Sequence, residues 1–273
     1  MCPRGFSKSS PSNRGTLASM QTGLIAFLIL ICLCEQTRAQ VRVACIGNSI
    51  TEGYGLPAGA LSYPARLQQL LGSGYSVQND GASGRTMRKN DTKNSYWKFG
   101  KLGQAMAFKP NIVTIKLGTN DANNFAGQWN SISAEFKRDY LAMVDTLGTL
   151  ATKPRVFVVL PVPIRGNNDS ILVKAIALIR EVATERHLAI IDAYAPLKGK
   201  TELYADNLHP NAAGADTLAH VFYRAITVPV SLPPVAYGAM PGAEASAAST
   251  DITGRVSVPI GIWRARFRLL PRR

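Results

Sequence analysis

The sequence predicts an α/β fold: a doubly wound, three-layer α/β/α sandwich with a central five-stranded parallel sheet of the flavodoxin-like kind. From residue 41 onward, short apolar runs rich in β-branched residues alternate with longer segments of helical periodicity. Strands and helices that alternate in this way form a parallel sheet with helices on both faces. A length of 273 residues with 46% apolar content is enough to bury one sizeable core, which favours a single folded domain.

Five segments have the composition of strands, and all except the second are apolar enough to be buried on both faces of a sheet. In chain order they are residues 41–46, 75–78, 112–117, 155–160 and 188–191. Helices are predicted between and after them, over residues 63–71, 96–107, 133–147, 170–186 and 210–225. Ligands of such sheets bind beyond the carboxyl ends of the strands, so we expect the functional site at that edge.

The N-terminus carries a predicted secretory signal peptide over residues 1–39. Residues 24–34 form a continuous apolar run after a basic segment, and Thr37 and Ala39 stand where a signal peptidase reads small residues. A membrane-spanning helix needs about 20 apolar residues, and this run is shorter. Met20 offers an alternative start. We therefore expect a secreted or periplasmic protein with no stable membrane span once the signal is removed.

The composition changes again near Val228. A stretch rich in Pro, Ala, Ser and Gly extends to Thr250, and the basic end from Trp263 onward is too short to fold alone. The sequence thus predicts a folded domain over residues 40–228, followed by a disordered linker and basic tail over residues 229–273.

The formal net charge of +14 is divided between the termini and the predicted domain. Residues 1–40 hold four basic residues and one acidic residue, and residues 228–273 hold six and two, which leaves +7 for the domain. We interpret these domain charges as scattered, without a Lys/Arg stripe or an interleaved aromatic platform. This pattern argues against a nucleic-acid partner.

Four short polar motifs follow predicted strands or precede the last helix. They are Gly47-Asn48-Ser49-Ile50, Asn79-Asp80-Gly81, Gly118-Thr119-Asn120-Asp121 and Asp206-Asn207-Leu208-His209. A serine, an aspartate three residues before a histidine, and spare hydrogen-bond donors are the groups needed to attack an acyl carbonyl and stabilise the resulting oxyanion. His209 alone among the three histidines has this aspartate, and it precedes Pro210, which favours a loop at the helix entrance.

Each motif also has a purely structural interpretation. Ser49-Ile50-Thr51-Glu52 matches a capping box, although Gly53 and Gly55 would break the helix that such a cap serves. Gly81 could be a turn glycine, and Asn120-Asp121 an ordinary turn pair. The occurrence of all four motifs in order favours the catalytic interpretation over these separate structural ones.

The four motifs together resemble the SGNH hydrolase superfamily, also called GDSL-type esterases, and the resemblance covers roughly residues 41–226. It implies a catalytic triad of Ser49, His209 and Asp206, and an oxyanion hole formed by the N–H groups of Ser49 and Gly81 with the side-chain amide of Asn120. No metal or organic cofactor is implied. Asp80 departs from the family pattern, since a small residue is more usual there, and we expect its carboxylate to point away from the site.

Within this superfamily the chain is most similar to secreted carbohydrate O-acetylesterases, which implies a small-molecule or carbohydrate ester as substrate. Trp97, Phe125 and Trp129 are predicted to supply aromatic surface for a sugar. A lysophospholipase or thioesterase-like lipid esterase is the alternative, and the acyl length that the site accepts would distinguish the two.

A different function class stays open at this point. Asp206, His209, Asn120 and Asp121 are also plausible ligands of a divalent metal in a phosphoesterase. That hypothesis leaves Ser49 and Gly81 unexplained.

Overall fold

The computed structural model describes residues 39–228. The predicted tail over residues 229–273 and all but the last residue of the predicted signal peptide lie outside the described residues. Five parallel strands form one sheet in the order β2-β1-β3-β4-β5. They are β1 (Val41–Gly47), β2 (Tyr75–Gly81), β3 (Ile112–Lys116), β4 (Arg155–Leu160) and β5 (Ala189–Asp192).

Seven α-helices connect and flank these strands in the described part of the chain. They are α1 (Ser49–Glu52), α2 (Tyr63–Leu71), α3 (Lys101–Ala107), α4 (Thr119–Asn124), α5 (Trp129–Gly148), α6 (Asp169–Glu185) and α7 (Ala212–Thr227). Short 3₁₀ turns lie at Tyr96–Lys98, Ala126–Gln128, Ala195–Leu197 and Thr201–Leu203. No helix within residues 39–228 has both the length and the apolar character needed to cross a membrane.

The sheet separates two hydrophobic cores, which gives the molecule its three layers. Along β1, Ala44 and Ile46 pack into the core shared with α3, α5 and α6, whereas Val43 and Cys45 pack into the core shared with α2 and α7. Alternate residues of one buried strand therefore serve opposite layers, as expected for a parallel sheet covered on both faces. The predicted three-layer α/β/α architecture is confirmed.

Three details differ from the sequence prediction. The fifth strand was expected to be buried on both faces, but β5 is an edge strand that pairs only with β4, and Ile190 is exposed. The helix predicted over residues 96–107 is interrupted by Gly100, whose φ of +82° ends the 3₁₀ turn before α3. Helix α7 begins two residues later than expected because the Asn211 side chain caps it by accepting the Gly214 N–H at 3.0 Å.

Lys116 is an unusual residue in this core. It is the last residue of β3, pairs in register with Gly47 and has no exposed surface. Its Nζ has no hydrogen-bond partner among the described residues, and burial lowers the pKa of this amine to about 7. An uncompensated buried ammonium destabilises the folded state, and the cost depends on pH.

Lys116→Met is expected to stabilise the protein more at pH 6 than at pH 10. The amine has a pKa near 7 when folded and 10.5 when unfolded, so between these values the unfolded chain binds more protons and wild-type stability rises with pH. Below about pH 7 the ammonium is charged in both states, and its desolvation costs on the order of a few kcal/mol that methionine removes.

Urea denaturation of the variant and the wild type at the two pH values tests this expectation. The exposed Lys174→Met is the matched control and is expected to change stability by less than about 0.5 kcal/mol at either pH. An equal gain for Lys116→Met at pH 6 and pH 10 would contradict the assignment of the cost to a buried charge.

Candidate active site

Ser49 is held at the carboxyl end of the central strand β1 by a very short helix. Asn48 caps α1, because its Oδ1 accepts the Ile50 N–H at 3.2 Å, and the four-residue helix ends at Glu52, before Gly53, whose φ is +98°. The capping-box interpretation of Ser49 is therefore wrong: Asn48 is the cap, and Ser49 is the first helical residue. Its hydroxyl is consequently free to point away from the helix end that it would otherwise cap.

The structure brings Ser49, His209 and Asp206 together in one hydrogen-bonded chain. Ser49 Oγ lies 3.0 Å from His209 Nε2, and His209 Nδ1 lies 2.8 Å from Asp206 Oδ2. Because a carboxylate only accepts, Nδ1 carries the proton toward Asp206, which leaves Nε2 as the acceptor for the serine hydroxyl. This is the proton arrangement that a general base beside a serine nucleophile requires.

Asp206 is fixed by the backbone that follows it. Its Oδ1 accepts the N–H groups of both Leu208 and His209 at 2.6 Å. Partial burial acts to raise the pKa of this carboxyl, but these hydrogen bonds and the imidazole outweigh it and hold the pKa below its usual value. The carboxylate therefore stays ionised beside the imidazole.

The loop that carries His209 is tied down on both sides. The Ala205 N–H donates to the His209 carbonyl at 2.8 Å, and the Arg165 N–H donates to the Asn207 carbonyl at 2.8 Å. Gly214 lies so close to the preceding turn that a Cβ there would come within 2.3 Å of the Leu203 carbonyl oxygen. These contacts fix the imidazole at the entrance of α7, as the sequence predicted for a histidine before a proline.

Asn120 lies at the start of α4, which follows β3, and not in a simple turn. Its Nδ2 donates to the Arg85 carbonyl at 2.9 Å. A side-chain amide has two N–H groups, so this bond orients the amide while the second N–H stays available for a ligand. Asn120 lines the same cavity as Ser49 and His209.

Gly81 is not placed where an oxyanion donor is needed. Its N–H already donates to Asn79 Oδ1 at 2.9 Å, and it does not line the cavity that contains Ser49. Gly84, three residues further along, does line that cavity and has a φ of +75°. The sequence signal for Gly84 is the second glycine of the Gly81-Ala82-Ser83-Gly84 run.

Gly81 instead allows the nucleophile helix to approach the sheet. A Cβ at this position would lie 2.1 Å from the Glu52 nitrogen and 2.6 Å from the Thr51 carbonyl carbon. Both are backbone atoms, so no side-chain rearrangement could relieve the overlap. Only glycine permits α1 to rest on the end of β2.

The loop after β2 forms one side of the site and is anchored by buried acids. Asp121 accepts the Met87 N–H through both carboxylate oxygens, at 3.1 and 2.9 Å. Asp139 accepts the Lys89 N–H at 2.7 Å. Full burial raises the pKa of Asp121 to about 7 despite these bonds. Asp121 thus serves the loop and does not converge with Asn120, His209 and Asp206 on a common ligand position.

The metal-site hypothesis gains no support from the geometry. Within residues 39–228 no group of three or more His, Cys, Asp or Glu side chains is arranged to hold a metal ion.

Asp80, the residue that departs from the family pattern, does not line the cavity. Its Oδ1 accepts from Gln78 Nε2 at 2.8 Å, and burial raises its pKa to about 6.

The site opens into a cavity of about 330 Å³ that is lined mostly by residues carrying polar groups. Its lining residues are Ser49, Tyr54, Ser83, Gly84, Asn120, Asn123, Asn124, Leu208 and His209. Sequence analysis identified three of these nine residues as site residues. Tyr54 and the two asparagines were missed, although all of them lie within five residues of a predicted catalytic residue.

The three aromatic residues predicted to bind substrate do not line this cavity. Trp129 is buried and packs against Phe136, with ring centroids 5.5 Å apart. The Trp97 indole N–H donates to the Met87 carbonyl at 2.9 Å, and the Arg88 guanidinium lies 4.7 Å from the centre of the Phe125 ring. All three rings pack the loop and helix beside the site.

The positive charge of the domain is concentrated, contrary to the interpretation that it is scattered. Residues 85–109 hold seven basic residues and one acidic residue. Two of these cations lie over aromatic rings of the same segment, Arg85 at 4.3 Å from the centre of Phe99 and Lys89 at 4.1 Å from the centre of Trp97. These pairs brace the loop that borders the cavity.

Comparison with known proteins gives a family and a fold. Residues 45–217 match the GDSL-like Lipase/Acylhydrolase family. An acetylxylan esterase from Xylanibacter ruminicola is 37% identical in an alignment of 214 residues, and the match covers 68% of this chain. The chain spans only 43% of the length of that relative.

Solved structures with the same fold include two esterases. A catalytic mutant of Axe2, an acetylxylan esterase from Geobacillus stearothermophilus, is 22% identical and has a TM-score of 0.56 over 71% of this chain and 98% of its own. The aryl esterase of M. smegmatis is 20% identical, with a TM-score of 0.53 over 69% of this chain and 98% of its own.

Gly81→Ala is expected to destabilise the protein and to abolish most Ser49-dependent activity, because the added Cβ would push α1 off the end of β2. The cost in unfolding free energy is expected to be at least that of overpacking a core, about 1–3 kcal/mol. Thermal denaturation and ester turnover measure the two effects.

Gly74→Ala is the matched control, since a Cβ there meets nothing within 4 Å and the residue has no positive φ. It is expected to leave both properties near wild type. A Gly81→Ala variant as stable and active as Gly74→Ala would show that the close approach is not needed.

Proposed function

The chain belongs to the GDSL-like lipase/acylhydrolase family of carboxylic ester hydrolases, and we propose that it is a serine esterase that removes short acyl groups, chiefly acetyl, from carbohydrates. The observation that carries the proposal is the hydrogen-bonded chain from Ser49 Oγ through His209 to Asp206, whose serine and histidine line an open cavity. The acetylxylan esterase among the relatives supports the choice of acyl group and substrate class.

In the proposed reaction, neutral His209 takes the Ser49 proton while Ser49 Oγ attacks the ester carbonyl carbon. The imidazolium that forms is stabilised by Asp206 and then gives its proton to the departing alcohol oxygen, which leaves an acetyl-serine. Water, deprotonated by the same imidazole, attacks this intermediate and releases acetate. The serine regains its proton, so the cycle closes without a cofactor.

The oxyanion is proposed to lie among three donors. These are the N–H of Ser49 at the start of α1, the N–H of Gly84 and the free N–H of the Asn120 amide. Gly84 replaces Gly81 in this proposal because Gly84 lines the cavity, while the Gly81 N–H is occupied by Asn79. Preorganised donors of this kind stabilise charge that develops in the transition state.

The composition of the cavity wall favours a short acyl group over a lipid chain. Leu208 is the only aliphatic side chain among the nine lining residues, whereas a fatty acyl group requires a long apolar groove. The residues that line this cavity do not form such a groove, so they do not support the lipid-esterase alternative. Secretion to the cell exterior or periplasm is part of the proposal and rests on the N-terminal segment of the sequence.

Hydrolysis of p-nitrophenyl esters tests the proposed function. Turnover is expected to be highest with acetate, to fall through butyrate and octanoate, and to be negligible with palmitate, because the cavity offers no long apolar groove. Ser49→Ala, which keeps the fold but lacks the nucleophile, is the control and should reduce turnover to background.

Two outcomes would overturn this proposal in different ways. A preference for octanoate or palmitate would establish a lipid esterase in place of a deacetylase. Turnover that persists in Ser49→Ala and disappears with a chelator would remove the serine mechanism altogether.

Asn120→Ala is expected to lower kcat for acetyl esters by about 10²–10³ while the protein remains folded, since one oxyanion donor is lost. Steady-state kinetics and thermal denaturation separate the two effects. Asn130→Ala, an exposed asparagine at the start of α5, is the matched control and should retain wild-type kinetics. A loss of less than about threefold in Asn120→Ala would exclude this amide from the oxyanion hole.

A further inference from the structure

Tyr54 stands out among the surface residues near the site. Its exposed fraction of 59% is the largest among the exposed large hydrophobic residues of the described chain. It lies between Gly53 and Gly55, both in the left-handed region, and its N–H donates to the Ser49 carbonyl at 2.9 Å. The backbone therefore places an exposed phenol ring directly after the nucleophile helix.

The Tyr54 ring lies on the leaving-group side of the site. Its centroid is 5.0 Å from that of the His209 imidazole, with the planes tilted by 51°. In the proposed reaction His209 Nε2 must deliver a proton to the departing alcohol oxygen, so the alcohol portion of the ester has to lie beside this imidazole. The carbonyl oxygen lies toward the other donors, at Asn120. A ring that touches His209 is thus positioned to contact the alcohol portion.

Asn124 adds a polar group to the same cavity. It lies one helical turn beyond Asn120 on α4, so both side chains occupy the same face of the helix. Asn123 beside it is anchored, because Asn168 Nδ2 donates to Asn123 Oδ1 at 3.0 Å, whereas Asn124 is exposed and its Oδ1 accepts from Asn123 Nδ2 at 3.5 Å. The Asn124 amide nitrogen carries two N–H donors, which suit the hydroxyl oxygens of a sugar.

We propose that Tyr54 and Asn124 form the subsite for the sugar ring that carries the acyl group and leaves as the alcohol. The assignment rests on the proposed function. The apolar C–H face of the sugar packs against the Tyr54 ring, and its hydroxyl edge binds the Asn124 amide. The subsite selects for the alcohol portion of the substrate, which a simple acetyl ester of a small alcohol does not use.

A second contact of Tyr54 argues against a role in binding a long acyl chain. Tyr54 also borders an apolar crevice of about 10 Å³, whose wall includes Ile50, Leu56, Pro210 and Leu218. That space is about the size of one water-sized group. A fatty acyl chain could enter this crevice only if the Tyr54 ring moved aside. Activity on a longer acyl ester therefore also reports on Tyr54.

The test compares kcat/KM for an O-acetylated xylo-oligosaccharide with kcat/KM for ethyl acetate, whose alcohol is too small to reach the subsite. The ratio of the two is expected to fall about tenfold in Tyr54→Ala and less in Asn124→Ala, and to be retained in Tyr54→Phe, which keeps the ring. Val173→Ala shortens a similarly exposed apolar residue on α6, outside the cavity, and should leave the ratio unchanged.

Three results would overturn the proposal. An equal loss on both substrates in Tyr54→Ala would mean that the ring acts by positioning His209, and an unchanged ratio with no loss would mean that the sugar lies elsewhere. A gain on p-nitrophenyl octanoate in Tyr54→Ala would assign Tyr54 to acyl-length control. Failure of the proposed function itself is seen separately, as wild-type turnover of neither ester above the Ser49→Ala background.

Discussion

The close approach of helix α1 to the ends of β1 and β2 is the constraint on which the site depends. Two glycines make it possible. A Cβ at Gly47 would lie 1.9 Å from Thr51 Oγ1, and one at Gly81 would lie 2.1 Å from the Glu52 nitrogen. Because α1 rests directly on the strand ends, Ser49 lies over the carboxyl edge of the sheet. Only from this position can its hydroxyl reach an imidazole that is 160 residues away in sequence.

A buried carboxyl group holds the rest of the rim in place. Asp121 carries the loop after β2 through two bonds to one backbone N–H, and the Asn120 amide beside it donates to the Arg85 carbonyl of the same loop. The short helix α4 thus fixes both the side-chain amide of Asn120 and the loop segment that contains Gly84. The burial of Asp121 costs free energy that an apolar residue would not, and the compensation is a loop with a defined shape. Preorganisation of this kind is what an oxyanion hole requires.

The sequence was sufficient for the architecture because strand burial and helix periodicity are local signals. It was also sufficient to choose Ser49, His209 and Asp206 as residues that meet, since parallel strands bring their carboxyl ends to one edge. The sequence was not sufficient where the function of a group depends on the direction in which its N–H or side chain points. Gly81 and Gly84 are both plausible donors from the sequence, and the structure separates them because the Gly81 N–H donates to Asn79 and only Gly84 lines the cavity.

The choice of aromatic residues from the sequence was limited for a related reason. Composition cannot distinguish a ring that faces a cavity from one that packs a loop, so the sequence indicated Trp97, Phe125 and Trp129, whereas Tyr54 is the aromatic residue that lines the cavity. The charge of residues 85–109 was visible in the sequence, but its significance depended on which cations lie over which rings.

The spacing of Asp206 and His209 has a geometric reason that goes beyond their pairing. With the aspartate three residues before the histidine, one carboxylate oxygen accepts the N–H groups of Leu208 and His209 while the other accepts from the ring. The backbone of the turn therefore orients the carboxylate independently of its bond to the imidazole. About half of the Asp206 side chain is exposed, so burial cannot be what holds it. A histidine four residues after the aspartate would lie beyond the two N–H groups that Oδ1 accepts, and its ring would lose this backbone anchor.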